Sequence, residues 1–454
     1  MVEIIPLDTP SLGDRSYIVH DGEVAIVVDP QRDYDRVLAV TGPRGLRITH
    51  VFETHIHNDY VTGGYRLART VGAAYVLNAD DTVGFDRVPA RDGDIFETGR
   101  LRVRALHTPG HTFTHLSYAL EADGQHLAIF TGGSLLYGST GRPDLLGTQH
   151  ADTLARHQHS SARRIATELP PEAEVYPTHG FGSFCSATQA DGLSSTVGAE
   201  AKTNPVLTLD QEAYVRVLLA GLDAYPAYYA HMAPANAAGP AEVDLTPPEQ
   251  ADPEELRRRI HAGEWVIDLR ERTAFAAGHL GGTLNIGLDG NFVTYLGWLI
   301  PWGMAVTLLG ESAEQVAEAQ RDLARIGIDR PEAAAVGTPE AWSGGMPLAI
   351  LPTANFTALR EAMRTDPAPT VLDVRRAAER QASHLLGSLH VPLHELSSRL
   401  AEVPTDRQVW VHCAAGYRAA IAASMLAREG VSVVLVDDDY DRVSDTGLPV
   451  LVAA

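Results

Sequence analysis

Glu53-Thr54-His55-Ile56-His57-Asn58-Asp59-Tyr60 follows an apolar, β-rich run, Ile48 to Phe52, that reads as a buried strand. Two imidazoles and a carboxylate, spaced by single residues, stand together at the end of that strand. There they can meet around one point, as a metal site requires. A polar surface turn could have the same composition, so the choice rests on whether further ligands stand at neighbouring strand ends. They do. The strand Leu101 to Leu106 ends in His107-Thr108-Pro109-Gly110-His111, and Glu174-Val175-Tyr176-Pro177 leads into Thr178-His179-Gly180. Leu127 to Phe130 ends in Thr131-Gly132-Gly133-Ser134. The repeated order of apolar strand and Gly/His/Thr-rich turn lines one rim of a sheet with polar side chains, where α/β sites are commonly built. That rim collects His55, His57, Asp59, His111 and His179 as candidate metal ligands.

Outward from this segment the same alternation continues. Glu3 to Ile5, Ser16 to Val19 and Val24 to Val28 read as strands, with Asp21-Gly22 as a hairpin turn. Helical spacing covers Tyr34 to Val40, Tyr65 to Val71 and Asp152 to Glu168, the last stopped at Pro170-Pro171. Tyr225 to Pro247 loses periodicity and reads as a linker. At 454 residues the chain is too long for one ordinary core. A formal charge of -22 disfavours a nucleic-acid or anionic-membrane partner. No apolar run is long enough to span a membrane, and Met1-Val2-Glu3-Ile4 has no basic-then-apolar pattern, so the expectation is a cytoplasmic protein. The two cysteines, Cys185 and Cys413, are too few for a disulfide framework, and each invites a chemical role. Cys185 lies in a glycine-rich loop after His179, from which its thiol could reach the metal rim.

Thr54-His55-Ile56-His57-Asn58-Asp59 resembles the metallo-β-lactamase superfamily signature T-H-x-H-x-D-H, with His111 and His179 at its later ligand positions. The resemblance covers residues 1–240 and implies an αββα sandwich. Thr131-Gly132-Gly133-Ser134 and Gly141-Arg142-Pro143-Asp144 are most similar to the glyoxalase II and persulfide dioxygenase branch. Two positions depart from the pattern. Tyr60 stands where the signature has its last histidine, and Gly133 where the family has the aspartate that bridges two metals. A second metal would keep only Asp59 and His179. The two-histidine, one-carboxylate iron site of persulfide dioxygenases would fall on His55, His111 and position 133, which offers no side chain. The expectation is therefore one metal ion per chain, Fe(II) or Zn(II), on a three-imidazole face of His55, His57 and His111.

Beyond the linker the chain repeats itself. Val266-Ile267-Asp268-Leu269-Arg270 recurs as Val371-Leu372-Asp373-Val374-Arg375, and the Gly278-His279-Leu280 turn as Ser383-His384-Leu385. Each copy then has an apolar strand followed by an amphipathic helix, which predicts a small parallel sheet covered on both faces. In the second copy Val409-Trp410-Val411 runs into His412-Cys413-Ala414-Ala415-Gly416-Tyr417-Arg418 just before the helix. A tight loop opening a helix presents backbone N–H groups to an anion, which suits a sulfur nucleophile at Cys413. Gly416 lets the loop close and Arg418 adds positive charge. A cysteine phosphatase would need five residues between Cys and Arg, and four stand here. This copy, residues 355–454, resembles a rhodanese domain, which implies a persulfide on Cys413. The first copy, residues 248–345, has Thr307-Leu308-Leu309-Gly310-Glu311-Ser312 at the same place and should be inactive. Its expected work is packing, homodimerisation or shaping access to the metal rim.

The predicted architecture is thus α/β throughout, an αββα metal domain followed by two rhodanese-like domains with parallel sheets. Such a fusion implies a low-molecular-weight thiol or persulfide as substrate. Three readings stay open: persulfide dioxygenase coupled to sulfur transfer, a zinc thioester hydrolase resembling glyoxalase II, or a non-catalytic metal domain serving Cys413.

Overall fold

The computed structural model describes residues 2–188 and 192–452. The chain divides into two compact units, one running to Asp244 together with Ala324–Gly327, the other Leu245–Leu323 with Ile328 onward.

The first unit is built on two six-stranded sheets. In one, Glu3–Thr9, Asp14–His20, Val24–Val28, Arg47–Phe52, Ala74–Asn78 and Val88–Ala90 lie in chain order. In the other, Ser195–Thr196, Glu174–Pro177, Gln125–Gly132, Leu116–Ala122, Leu101–His107 and Ile95–Thr98 lie side by side. Strand periodicity of two explains the layers. Tyr17, Val19, Ile26 and Val28 point into a core shared by both sheets, against Tyr118 and Phe130. Their neighbours Ile18, Ala25 and Val27 point the other way, onto a cluster with Val37 and Leu67 from the helices Asp35–Thr41 and Gly64–Val71. On the far face Ala155, Ala162 and Ile165 of the helix Ala151–Glu168 cover Leu106 and Ile129. The result is the αββα sandwich. Because the rim turns all follow strand C-termini of these sheets, the layering alone brings them to one edge.

The stretch read as a linker contains a helix, Tyr229–Ala238, with Pro234 inside it. Proline and an almost uniformly apolar or small composition removed the periodic signal that would have marked it. Its Asn236 is buried and acts on the metal rim, as described below.

The second unit holds both repeats. In the first, Leu284–Asn285, Trp265–Asp268, Val306–Gly310 and Ala333–Val336 form a parallel sheet in that order. In the second, Leu389–His390, Thr370–Asp373, Val409–His412, Val433–Val436 and Thr353–Ala354 do the same. The first four strands of the second sheet follow the order of the first, and Thr353–Ala354 is added at its edge. The recurring Asp-x-Arg has a structural explanation in each copy. Arg375 forks onto Asp373 at 3.0 and 2.8 Å and reaches the Ser383 carbonyl. Arg270 forks onto Asp268 at 3.0 and 2.6 Å and reaches the Gly278 carbonyl. A buried guanidinium satisfied in this way ties the strand end to the turn that follows. Among the described residues no helix is long and apolar enough to cross a membrane.

Candidate functional site

His55, His57 and Asp59 lie on the loop after Arg47–Phe52, His111 after Leu101–His107, and His179 after Glu174–Pro177. All five are at most 1% exposed. The structure brings them to one point, in a grouping that differs from the expected one. The ligand atoms of His55, His111 and His179 lie within 4.8 Å of one another, as do those of His57, Asp59 and His179. His57 therefore does not complete a face with His55 and His111. Its Nε2 is drawn to carboxylates behind the rim, Glu53 at 3.1 Å and Asp29 at 3.3 Å. Tyr60 stacks on the His57 ring and places its hydroxyl 3.0 Å from the same nitrogen.

Three imidazoles are oriented from behind. The His111 Nδ1 donates to the Arg142 carbonyl at 2.8 Å, and the His179 Nδ1 to Asp14 at 2.9 Å. The Thr54 hydroxyl donates to Asp29 and can accept from His55 Nδ1 at 2.9 Å. Each ring is thereby left with its Nε2 turned inward, and the His55 and His179 Nε2 atoms stand 3.4 Å apart. The His111 Nε2, the His57 Nδ1 and the Asp59 Oδ1 are buried without a hydrogen-bond partner. Buried, orphaned acceptors converging on one point are what a cation would satisfy. The donor set of imidazole nitrogens, with the Asp59 carboxylate alongside, fits a metal ion of the Fe(II) or Zn(II) type.

Charge is balanced inside this pocket. Burial and neighbouring imidazoles push His55 well below its ordinary value and His111 down to about 3, so both are neutral ligands. Burial opposes charging of His57 and His179, but Asp29 and Glu53 push the first up to about 9, and Asp59 and Asp14 the second to about 10. Burial also raises Glu53 to about 7.

Gly133 is where the family's bridging aspartate would be. A Cβ built there would lie 2.4 Å from His111 Cδ2, so the His111 ring fills the space an aspartate needs.

Several participants escaped the sequence reading. Asp29, just past the strand Val24–Val28 and at φ +49°, accepts through its carboxylate from the Thr54 amide and hydroxyl and from Thr178. Asp14 orients His179, and His115 stacks on His55 while accepting from the Gly133 amide at 3.1 Å. Asn236 donates to the carbonyls of His57 and Tyr60 at 3.0 and 2.9 Å and accepts from the Thr62 amide at 2.9 Å. Proximity to a strand end could have flagged the two aspartates; nothing local marked Asn236. Cys185 is fully buried, and burial with Asp59 beside it pushes its thiol well above the ordinary value. It stands at the rim as a protonated thiol, a poor nucleophile.

In the second unit Cys413 follows Val409–His412 and opens the helix Tyr417–Arg428 through Gly416, at φ +90°. A Cβ on Gly416 would fall 1.9 Å from the Asp437 carboxylate, so only glycine serves there. Arg418 does not present a free cation. It forks onto Glu379 at 2.6 and 2.7 Å. The strand register puts Gly310 of the first repeat at the position of Cys413, since Leu309 pairs with Asp268 as His412 pairs with Asp373. Cys413 lines a cavity of about 270 Å³ together with Tyr417, Arg418 and residues of the first repeat that include Arg272, Asp289 and Tyr295.

A metallo-beta-lactamase superfamily model matches residues 14–179, and a rhodanese-like domain model residues 356–446, leaving the first repeat outside. The mitochondrial persulfide dioxygenase ETHE1 of Homo sapiens is 31% identical over 216 residues, covering 46% of this chain and 74% of that protein. A hydroxyacylglutathione hydrolase-like protein of Mus musculus is 31% identical over 147 residues, covering 32% of this chain and 50% of that protein. The chain thus spans about half the length of the mouse relative. Among solved structures, a metallo-beta-lactamase from Staphylococcus aureus subsp. aureus COL matches with a TM-score of 0.66 and 27% identity, over 74% of this chain and 99% of that one. With a 31% identical relative covered over 74% of its length, and the sandwich and its rim to account for that likeness, the chain belongs to the metallo-beta-lactamase superfamily and carries a C-terminal rhodanese-like domain.

Proposed function

We propose that this chain handles low-molecular-weight persulfides in two linked reactions. One oxidises a persulfide with O2, RSSH + O2 + H2O giving RSH + sulfite + two protons, at the three-imidazole site. The other moves a sulfane sulfur through Cys413, which lets sulfite leave as thiosulfate. The observation that carries this reading is the buried group of His55, His111 and His179, whose ligand atoms lie within 4.8 Å of one another in a chain that also carries a rhodanese-like domain. Three imidazoles would hold an ion and leave coordination positions open around it. A bound Fe(II) would supply coordination positions for a sulfur ligand and for O2. Asp14, Thr54 and the Arg142 carbonyl hold the imidazoles in register, and burial of the rim keeps bulk water away. The human relative named a persulfide dioxygenase and the rhodanese-like match both point to sulfur chemistry.

The test is metal analysis of the purified chain, followed by O2 uptake and sulfite release with glutathione persulfide. Iron with O2 uptake supports the proposal. Zinc with cleavage of a glutathione thioester and no O2 uptake replaces it with a hydrolase. Neither activity, with transfer from thiosulfate to cyanide intact, leaves a metal domain that only serves Cys413. A Cys413→Ser protein should lose sulfur transfer by at least about a thousand-fold; full retention removes the role of Cys413.

A further inference from the structure

The cavity over Cys413 has walls from both repeats, and its charges are arranged in an unusual way for a site that would take a small dianion. Arg418 is engaged by Glu379 through both of its terminal nitrogens. The other cation on the wall, Arg272, comes from the repeat that lacks a cysteine. Its Nε donates to Asp437 at 2.8 Å and its Nη1 to Asp289 at 3.2 Å. Those bonds leave the Nη2 edge of the guanidinium with donors to spend. Arg272 and Asp289 are 24% and 31% exposed, so the pair is open rather than sealed. A cationic edge and an anion therefore stand 3.2 Å apart on the wall of the nucleophile's cavity. A dianion such as thiosulfate is attracted by one and repelled by the other. An α-amino-acid group, carrying a carboxylate and an ammonium on one carbon, is matched by both.

We propose that the Cys-less repeat is the donor-recognition half of the Cys413 site, with Arg272 and Asp289 reading the carboxylate and ammonium of an amino-acid-type thiol persulfide. This rests on the sulfur-transfer role of Cys413 given above and adds its substrate class. In the step, the Cys413 thiolate attacks the terminal sulfur of RSSH and a new Cys413 S–S bond forms. The donor's own S–S bond, between RS and that terminal sulfur, breaks, and RS⁻ leaves with the electron pair and takes the persulfide proton as RSH. No oxidant is consumed. Asp289 and Arg272 touch only the distal end of the donor, so they set which donor binds.

The full-length protein is assayed for Cys413-dependent transfer to cyanide from glutathione persulfide, from 2-mercaptoethanol persulfide, which has neither charge, and from thiosulfate. The wild type should prefer glutathione persulfide over the uncharged persulfide by at least about 10-fold in kcat/KM. Asp289→Asn should erase most of that preference through KM and raise kcat/KM for thiosulfate, whose repulsion it removes. Asp289→Glu should restore the preference. Because Arg272 also braces Asp437 over Gly416, the Asp289 variants decide the matter, and a circular dichroism spectrum equal to wild type is required of each. An Asp289→Asn protein with unchanged donor ranking overturns the proposal. Absence of transfer from all three donors in the wild type overturns the Cys413 role itself, and this inference with it.

Discussion

At position 133 the side chain that the family uses to bridge two metals is missing. His111 occupies the volume a bridging carboxylate would need, with Gly133 beneath it. Gly133→Asp should therefore fail to restore a second metal. Overpacking of this kind costs about 1–3 kcal/mol, so the variant should melt lower and bind no more than one ion per chain by elemental analysis. Asp14 offers the complementary test, since it holds His179 through Nδ1 without being a ligand in the three-imidazole set. Asp14→Asn should weaken metal affinity by about 10–100-fold in a competition titration while leaving the protein folded. The candidate ligands stood out in the sequence because each follows an apolar strand at a turn. Their grouping did not, since it is set by Glu53 and Asp29, whose pull on His57 depends on side chains packed behind the rim.

At the level of elements, the strands that lead into the rim turns and the long helix Ala151–Glu168 were readable because alternation and strand-end turns are local signals. The two Asp-x-Arg strand ends were readable as a repeat, and their near-identical bonding explains why the pattern recurs although only one copy carries a cysteine. What stayed hidden was the partner of Arg418. Glu379 lies on the helix Ala377–Ala382, in another part of the repeat. Burial alone would raise the Glu379 carboxyl, but the Arg418 fork outweighs it and holds it at about 2. A group depressed in the folded state contributes stability above its unfolded value and loses it as pH falls through the folded one. The second unit should thus lose on the order of 2 kcal/mol between about pH 5 and pH 2. Glu379→Gln should remove most of that pH dependence in urea titrations and be the less stable protein at neutral pH.

The whole molecule has two compact units with separate cores. Calorimetry should show two unfolding steps, and loading the metal should move only one of them. At a free metal concentration about 100-fold above its Kd the expected gain is about 2.7 kcal/mol in that step alone. Chelation should abolish the metal-dependent activity and leave Cys413-dependent transfer in place. The helix Tyr229–Ala238 adds a practical consequence for dissecting the protein. A fragment ending before it would contain every histidine and aspartate of the rim and still lack Asn236, whose three hydrogen bonds clamp the backbone between His57 and Thr62. Such a fragment would be a complete ligand inventory on an unclamped loop, and a metal-free result from it would report the cut rather than the enzyme.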